Sequence, residues 1–140
     1  MTDSSVTVVI ATRDRPQMMR EALASVLDQD YDGPIEVILV FDRSEPDLTL
    51  ADESDPRRRV VVTTNTRSPG LAGARNTGIT ASQADYVAFL DDDDLWLPGK
   101  LAAQIALLEA NPAAGLATCG SLVDYDGERH PRTLLSICRA

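Results

Sequence analysis

The stretch YVAFLDDDDLWLPGK places four consecutive carboxylates directly after a short apolar segment; they belong to Asp91, Asp92, Asp93 and Asp94. Two unit charges about 4 Å apart repel one another by about 4 kcal/mol at an effective dielectric constant near 20. A divalent cation would offset that repulsion, and ligand sets made of oxygen atoms suit Mg²⁺ or Mn²⁺. A solvated acidic turn that partly caps the next helix would also explain the four residues. The pattern by itself leaves both interpretations open.

Polar residues also follow two other segments that are predicted to be strands. VTVVIAT (residues 6–12) and IEVILVF (residues 35–41) are short, apolar and rich in β-branched residues, as is typical of buried strands. The first ends in Thr12 and is followed by Arg13 and Asp14, and the second is followed by Asp42. Asp42 could bind a base or ribose, or form an Asx turn. The first group could bind an anion at a helix start, or Asp14 could simply cap that helix.

The segment GLAGARNTGI (residues 70–79) combines glycines with a cation. Its glycines allow a close approach between backbone and neighbouring groups. Arg75 could bind a diphosphate or form an ion pair with the aspartates. A glycine-rich helix packed on the sheet, with Arg75 in a structural ion pair, is the alternative.

The order of elements predicts an α/β fold with a mostly parallel sheet and helices on both faces. Strands are expected at residues 6–12, 35–41, 60–64, 85–90 and 115–123, with helices between most of them. In such sheets ligands bind beyond the carboxyl ends of the strands. We refer to the residues that follow those ends as the carboxyl rim. The polar residues described above should therefore converge there.

Composition limits the classes of function. The 140 residues, 44% of them hydrophobic, suit one domain over residues 1–140, and the net charge of −9 argues against a nucleic-acid or anionic-membrane binder. Cys119 and Cys138 have no metal-ligand spacing and are expected to be reduced thiols of a cytoplasmic protein. We find no signal peptide, no apolar run of membrane-spanning length, and neither a GxGxxG nor a P-loop motif.

Five short segments in this order resemble family 2 glycosyltransferases of the GT-A fold: VVIATRDRP, ALASVLDQDY, IEVILVFDRS, GLAGARNTGI and ADYVAFLDDDDLWLPGKLAAQI. The resemblance covers most of the chain. It implies a Rossmann-like fold and an enzyme that transfers a sugar, with inversion, from a nucleotide-diphosphate sugar to an acceptor hydroxyl. It favours a UDP-sugar as donor and leaves the acceptor unknown.

The resemblance also implies roles for individual residues. Asp42 matches the aspartate that binds the base, and Thr12 lies in the loop beside base and ribose, followed by Arg13 and Asp14. Arg75 and Asn76 match the segment that flanks the diphosphate. Asp91, Asp92 and Asp93 match the DXD-type motif, in which Asp93 would be the main ligand of Mg²⁺ or Mn²⁺. Asp91 or Asp92 would contact the metal, the ribose or the sugar, with Asp91 assigned to both the metal and the donor. Arg13 stands where the family often has an aromatic residue, so the base preference is left open.

The family usually carries its acceptor site and catalytic base further along the chain than this sequence extends. We therefore expect the general base beyond Ala140 and interpret the sequence as a donor-binding part, apparently truncated after the fifth strand. A second copy or a partner subunit would then cover the truncated side. The alternative is a non-catalytic module that binds a nucleotide-sugar or a partner protein.

The segment FLDDDDL also fits the loose pattern of a haloacid-dehalogenase-type phosphatase, in which Asp91 would be the nucleophile. That motif belongs on the first strand, whereas here it follows the fourth predicted strand. Too little chain follows to supply the later lysine and acidic pair. This alternative is therefore disfavoured.

Overall fold

The computed structural model describes residues 4–133 and divides into two compact units, the first extending to Leu101 and the second beginning at Ala102. The elements, in chain order, are β1 (Val6–Thr12), α1 (Pro16–Leu27), β2 (Ile35–Phe41), a 3₁₀ turn (Leu48–Leu50), β3 (Arg58–Thr64), α2 (Leu71–Ala81), β4 (Tyr86–Asp91), α3 (Lys100–Ala110), β5 (Ser121–Tyr125) and β6 (Glu128–Arg132).

The first unit contains a four-stranded parallel sheet in the order β3-β2-β1-β4. The chain adds β2 and β3 on one side of β1 and then returns to add β4 on the other side. The strand order therefore reverses between β1 and β4, and in open α/β sheets the crevice at such a reversal is where ligands bind. This sheet with its helices confirms the predicted α/β class.

Apolar side chains from both faces of the two central strands form the core. Val9 and Ile38 pack with Ala74 of α2 on one face, where Gly78 brings the helix backbone close to Val9. On β1 the alternate residues Val8 and Ile10 are fully buried. They point to the opposite face, because successive side chains of a strand alternate. The apolar stripe of α1 contributes four buried residues, Met19, Ala22, Leu23 and Val26.

The loop between β1 and α1 has an unusual backbone. Asp14 adopts a left-handed conformation with φ of 53°, and Arg15 is the N-cap of α1 without a side-chain capping bond. Pro16 occupies the first helical turn, where its missing N–H leaves no intrahelical bond unmade. Capping of α1 by Asp14, one alternative for this residue, is therefore not observed.

Asp42 ties the loop after β3 to the end of β2. Its Oδ1 accepts a hydrogen bond from Asn65 Nδ2 at 2.8 Å, and its Oδ2 accepts one from the Gly70 backbone N–H at 3.0 Å. The Asn65 bond and, less strongly, the Gly70 bond hold the pKa of the Asp42 carboxyl below its usual value despite its burial. Since Gly70 directly precedes α2, this carboxylate fixes where that helix begins.

The second unit contains a hairpin in place of the predicted fifth strand. β5 begins at Ser121 instead of residue 115 and pairs antiparallel with β6. Asp126 and Gly127 both have positive φ, 51° and 78°, as a tight two-residue hairpin turn requires. The Asp-Gly pair thus folds the chain back locally, and the expectation of a strand over 115–123 was wrong in its bounds.

Between residues 4 and 133, helices are all too short or too polar to traverse a lipid bilayer.

We expect Gly78→Ala to lower the free energy of unfolding by about 1–3 kcal/mol, as overpacking of a core does. A Cβ at this position would lie 2.4 Å from Val9 Cγ1 in the middle of the sheet. Gly99→Ala is the matched control, because a Cβ there meets no atom within 4 Å. Urea unfolding of both variants measures the difference, and equal stabilities would contradict the close packing of α2 on β1.

We expect the acid sensitivity of the fold to depend on Asp42. Since the folded state lowers its pKa from 3.8, the ionised carboxylate stabilises the fold above that pH, and this contribution is lost as the pH falls through the folded pKa. At pH 7, Asp42→Asn should cost about 1.5–3 kcal/mol, the range for hydrogen bonds to a charged group. The difference from wild type should shrink as the pH falls below 3.8 and through the lowered pKa of the folded state, where the Asp42 carboxyl also becomes neutral.

Urea unfolding between pH 7 and pH 2.5 measures the difference in the free energy of unfolding between wild type and Asp42→Asn. Asp32→Asn is a control for the change of charge, because Asp32 lies on an exposed turn. A difference between wild type and Asp42→Asn that stays constant with pH would show that the carboxylate does not tie the loop to β2.

Candidate functional site

A cleft of about 370 Å³ lies at the carboxyl rim of the first unit, where the strand order reverses. Its lining comes from the ends of β1, β2 and β4, the loop after β1 and the start of α2: Ala11, Thr12, Arg13, Arg15, Asp42, Leu71, Ala74, Asp91, Asp92 and Asp93. The register explains the convergence, since Ala11 of β1 pairs with Asp91 of β4 and Thr12 of β1 pairs with Phe41 of β2. The cleft combines four carboxylates with two guanidinium groups.

Asp92 is the aspartate that points into the protein. It is 7% exposed, and its Oδ2 accepts a hydrogen bond from Thr12 Oγ1 at 2.9 Å. Its other oxygen accepts one from Arg15 Nη1 at 3.2 Å. A buried carboxylate needs such partners, because an unpaired charge away from water is very unfavourable. Asp92 therefore links the ends of β1 and β4.

Arg15 also contacts the next aspartate. The same Nη1 that bonds Asp92 lies 2.8 Å from Asp93 Oδ2, so one guanidinium nitrogen bridges two adjacent carboxylates. The Asp93 side chain is 47% exposed, whereas that of Asp92 is 10% exposed. The bridge thus joins one fixed and one solvent-accessible carboxylate.

Arg75 neutralises the first aspartate of the run from the side of α2. Its Nη2 lies 2.8 Å from Asp91 Oδ1, and its guanidinium carbon lies 5.4 Å from the centre of the Phe89 ring. The pairing with an aspartate is one of the two alternatives that the sequence left open for Arg75. A half-exposed guanidinium in this position can also donate to an anion in the cleft.

Three of the four aspartates form a group that could hold a cation. Asp91, Asp93 and Asp94 each offer a carboxylate oxygen, and these atoms lie within 4.8 Å of one another. We call these three residues the acidic cluster. Burial, followed by the charges of Asp93 and Asp91, raises the pKa of Asp94. Oxygen-only donors with excess negative charge fit Mg²⁺ or Mn²⁺. Asp94, which the sequence interpretation left outside the metal site, thus belongs to the acidic cluster, and Asp92 does not.

A second pocket, of about 480 Å³, opens beyond the ends of β2 and β3. It is lined by Phe41, Asp42, Arg43, Ser44, Glu45, Thr64, Asn65, Arg67 and Pro69, and Asp42 is common to both cavities. Ser44 Oγ is buried without a hydrogen-bond partner. We call this space the outer pocket. Its lining is mostly polar, and Asp42 connects it to the cleft.

Some of the predicted site residues line the cleft, and others lie outside its lining. Those that line the cleft are Thr12, Arg13, Asp42, Asp91, Asp92 and Asp93. Asp14 lies outside the lining and is paired at 3.7 Å with Arg13, and Asn76 is exposed on α2. Arg75 reaches the acidic cluster through Asp91. The structure therefore brings most of the predicted residues together, and the roles assigned to them stay predictions.

Sequence reasoning missed two residues of this site, Arg15 and Asn65. Asn65 follows the last residue of β3, so the rule that singled out Asp42 after β2 would have found it too. Arg15 stands directly before Pro16 in the loop after β1. Its proximity to Pro16 suggested only a helix start, and its partners lie 77 and 78 residues away in the chain.

Comparison with known proteins supports the resemblance to a glycosyltransferase family that the sequence showed. The chain matches the family model described as Glycosyl transferase family 2 over residues 7–137. It is 32% identical over 114 residues to the UDP-Glc:alpha-D-GlcNAc-diphosphoundecaprenol beta-1,3-glucosyltransferase WfgD of Escherichia coli, with 79% of this chain and 44% of that protein covered. It is 39% identical over 108 residues to the succinoglycan biosynthesis protein ExoW of Rhizobium meliloti (strain 1021), with 70% and 32% covered.

Among solved structures, the chain resembles the mannosyltransferase PcManGT from Pyrobaculum calidifontis, determined in complex with GDP-Man and Mn²⁺. The TM-score is 0.67 at 27% sequence identity, and the match covers 81% of this chain and 34% of that one. The chain thus spans less than half the length of each of these three proteins. Because the family match runs through nearly the whole sequence, this chain belongs to glycosyl transferase family 2.

Proposed function

We propose that this chain binds the nucleoside-diphosphate part of a nucleotide-sugar and serves as the donor-binding part of an inverting, metal-assisted glycosyltransferase. One observation carries the proposal: an acidic cluster and two guanidinium groups meet at the carboxyl rim where the strand order reverses. Carboxylates that can hold a cation, beside arginines that can hold phosphate oxygens, suit a diphosphate. WfgD, whose name gives UDP-Glc, and PcManGT, determined with GDP-Man, are consistent with such a donor.

Asp42 is proposed to contact the base or the ribose. Its two oxygens accept hydrogen bonds from Asn65 and Gly70, and a carboxylate has further acceptor capacity at each oxygen. Its lowered pKa keeps it ionised, and therefore an acceptor, at neutral pH. Ser44 Oγ, which is buried without a partner, would add a donor or acceptor in the outer pocket. We favour UDP-sugars as donors, and the hexose they would carry is left open.

The cation would be held by Asp93 and Asp91 of the acidic cluster. When bound there, Mg²⁺ or Mn²⁺ would stabilise the negative charge that develops on the departing diphosphate. Arg75, already beside Asp91, would donate to the diphosphate from the side of α2. Thr12 holds Asp92 in place, so the inward-pointing aspartate orients the chain that carries the other three.

The general base that inverting transfer needs is proposed to lie outside residues 1–140. In the described part of the second unit, Glu109 is exposed on α3, and the other carboxylates and the imidazole are exposed on the hairpin, where Asp124 pairs with Arg129 and His130 lies 3.7 Å from Glu128. The chain spans less than half of its relatives, so the acceptor site and base are assigned to further chain, a second copy or a partner subunit. A module that binds a nucleotide-sugar without transferring it is the second candidate.

We expect calorimetry to show that Mn²⁺ tightens UDP binding and that Asp93→Asn removes most of this gain. Loss of a carboxylate ligand from a site for a hard cation should weaken Mn²⁺-dependent UDP binding by about tenfold or more. Asp32→Asn removes the same charge from an exposed turn and should bind as wild type does.

The proposal fails if UDP and UDP-sugars do not bind in the presence of Mn²⁺, or if Asp93→Asn binds them unchanged. Binding of a UDP-sugar without release of UDP in the presence of sugar acceptors would favour the non-catalytic module. Titrations with GDP and TDP under the same conditions compare the affinity of the site for nucleotides with different bases.

A further inference from the structure

We propose that Arg15 is a built-in counter-cation of the donor site, which pairs with Asp93 in the ligand-free protein and exchanges that partner for the diphosphate when a divalent cation binds. The inference rests on the proposed function and deepens it. It assigns to Arg15 a positioning role that makes binding of the cation and binding of the diphosphate depend on each other.

The two partners of Arg15 differ in accessibility. Asp92 is buried and is also bonded to Thr12, so it can hold the guanidinium near the cleft. Asp93 is about half exposed, and ion pairs between exposed groups contribute little stability. The contact with Asp93 is therefore the exchangeable one, and the contact with Asp92 can persist while it changes.

The contact with Asp93 competes directly with a cation. Asp93 belongs to the acidic cluster, and one of its oxygens lies only 2.8 Å from Arg15 Nη1. A divalent ion bound to that carboxylate would stand next to a guanidinium of the same sign. Cation binding to the ligand-free protein must therefore break this pair or displace Arg15. A guanidinium released from Asp93 but retained by Asp92 would point into the cleft, where diphosphate oxygens could accept its N–H groups.

The backbone around Arg15 leaves its side chain available for this exchange. Arg15 is the N-cap of α1 but makes no side-chain capping bond, and Met19 N–H donates to its carbonyl oxygen at 3.0 Å. A movement of the guanidinium therefore does not undo the helix start. Arg13, by contrast, is paired with Asp14, and Arg75 is held by both Asp91 and the Phe89 ring. Of these three arginines, Arg15 is the one that bridges two aspartates.

A shared ion pair couples two ligands. Whichever of the cation and the diphosphate binds first must break the Arg15–Asp93 contact, and the second ligand finds it already broken. Each ligand therefore raises the affinity for the other by the same factor, as linkage requires. Without Arg15 the coupling should fall to the part that comes from direct contact between cation and phosphate.

Binding of Mn²⁺ alone to wild type and to Arg15→Gln, followed by the electron paramagnetic resonance of free Mn²⁺, tests the pairing. We expect Arg15→Gln to bind Mn²⁺ about threefold to tenfold more tightly, because an exposed ion pair no longer competes. Arg20→Gln is the matched control: it removes the same charge from α1, where Arg20 pairs with Asp47 at 2.6 Å. It should stay within about twofold of wild type, since exposed charges at a distance are screened.

The coupling is measured with UDP. The ratio of UDP dissociation constants without and with Mn²⁺ should be smaller for Arg15→Gln than for wild type or Arg20→Gln. Arg15→Lys keeps the charge but lacks the planar fork, and it should fall between Arg15→Gln and wild type in both measurements. Circular dichroism and urea unfolding establish that each variant is folded.

Equal Mn²⁺ affinity in Arg15→Gln and Arg20→Gln, or no Mn²⁺ binding to either, would overturn the inference. An unchanged coupling ratio would overturn the diphosphate part of it. Failure of the proposed function looks different: wild type would bind no UDP in Mn²⁺, while the Mn²⁺ comparison between the Arg15 and Arg20 variants would still decide whether Arg15 pairs with Asp93.

Discussion

The pairing of β1 with β4 is the interaction on which the rest of this structure depends. It places Ala11 beside Asp91, so Thr12, the last residue of β1, and Asp92, the residue after β4, meet at the carboxyl rim. A shift of register by one residue would reverse which side chains face each side of the sheet. The hydrogen bond between Thr12 and Asp92 therefore follows from the same alignment that buries Val8 and Ile10 in the core. Core packing and site geometry are set by one register.

This alignment also explains how four adjacent carboxylates are tolerated. Asp92 is turned inward and bonded to Thr12 of β1. Asp93 and Asp91 are paired with arginines from a loop and from α2. Burial and the neighbouring charges raise the pKa of the last, Asp94. Repulsion within the run is thus met by partners that are distant in sequence. Thr12 belongs to β1, and the two arginines are supplied by a loop and a helix that the parallel sheet brings to the carboxyl rim.

Sequence patterns predicted most of the first unit because its strands have sharp limits. The bounds of β1 and β2, residues 6–12 and 35–41, agree with the sequence interpretation, since each is an apolar run between polar residues. The fifth strand was misplaced because residues 115–120 resemble an apolar run, whereas the Asp126-Gly127 turn decides the local pairing. A turn that forms a hairpin locally prevails over an apolar pattern that would need a distant partner.

For the site, sequence reasoning identified the residue types and failed on their orientations. The strand-end rule found Thr12, Asp42 and the aspartate run, because topology alone brings the ends of parallel strands together. It could not tell that Asp92 faces inward while Asp94 joins the acidic cluster, since this depends on how the turn after β4 winds. Arg15 could not be found either, because a contact across 78 residues leaves no mark in local spacing.

Because the four aspartates have unequal surroundings, they differ in the acceptor capacity that each can offer to a ligand. A carboxylate already bonded to a buried hydroxyl, as Asp92 is to Thr12, is held in position and has less acceptor capacity left for a ligand. The outward-facing carboxylates retain that capacity but repel one another, so the ligand-free cleft relies on Arg15 and Arg75 for neutralisation. In the proposed donor site, the charges are therefore arranged before a ligand binds, and Arg15 and Arg75 are the donors proposed for the oxygens of the diphosphate.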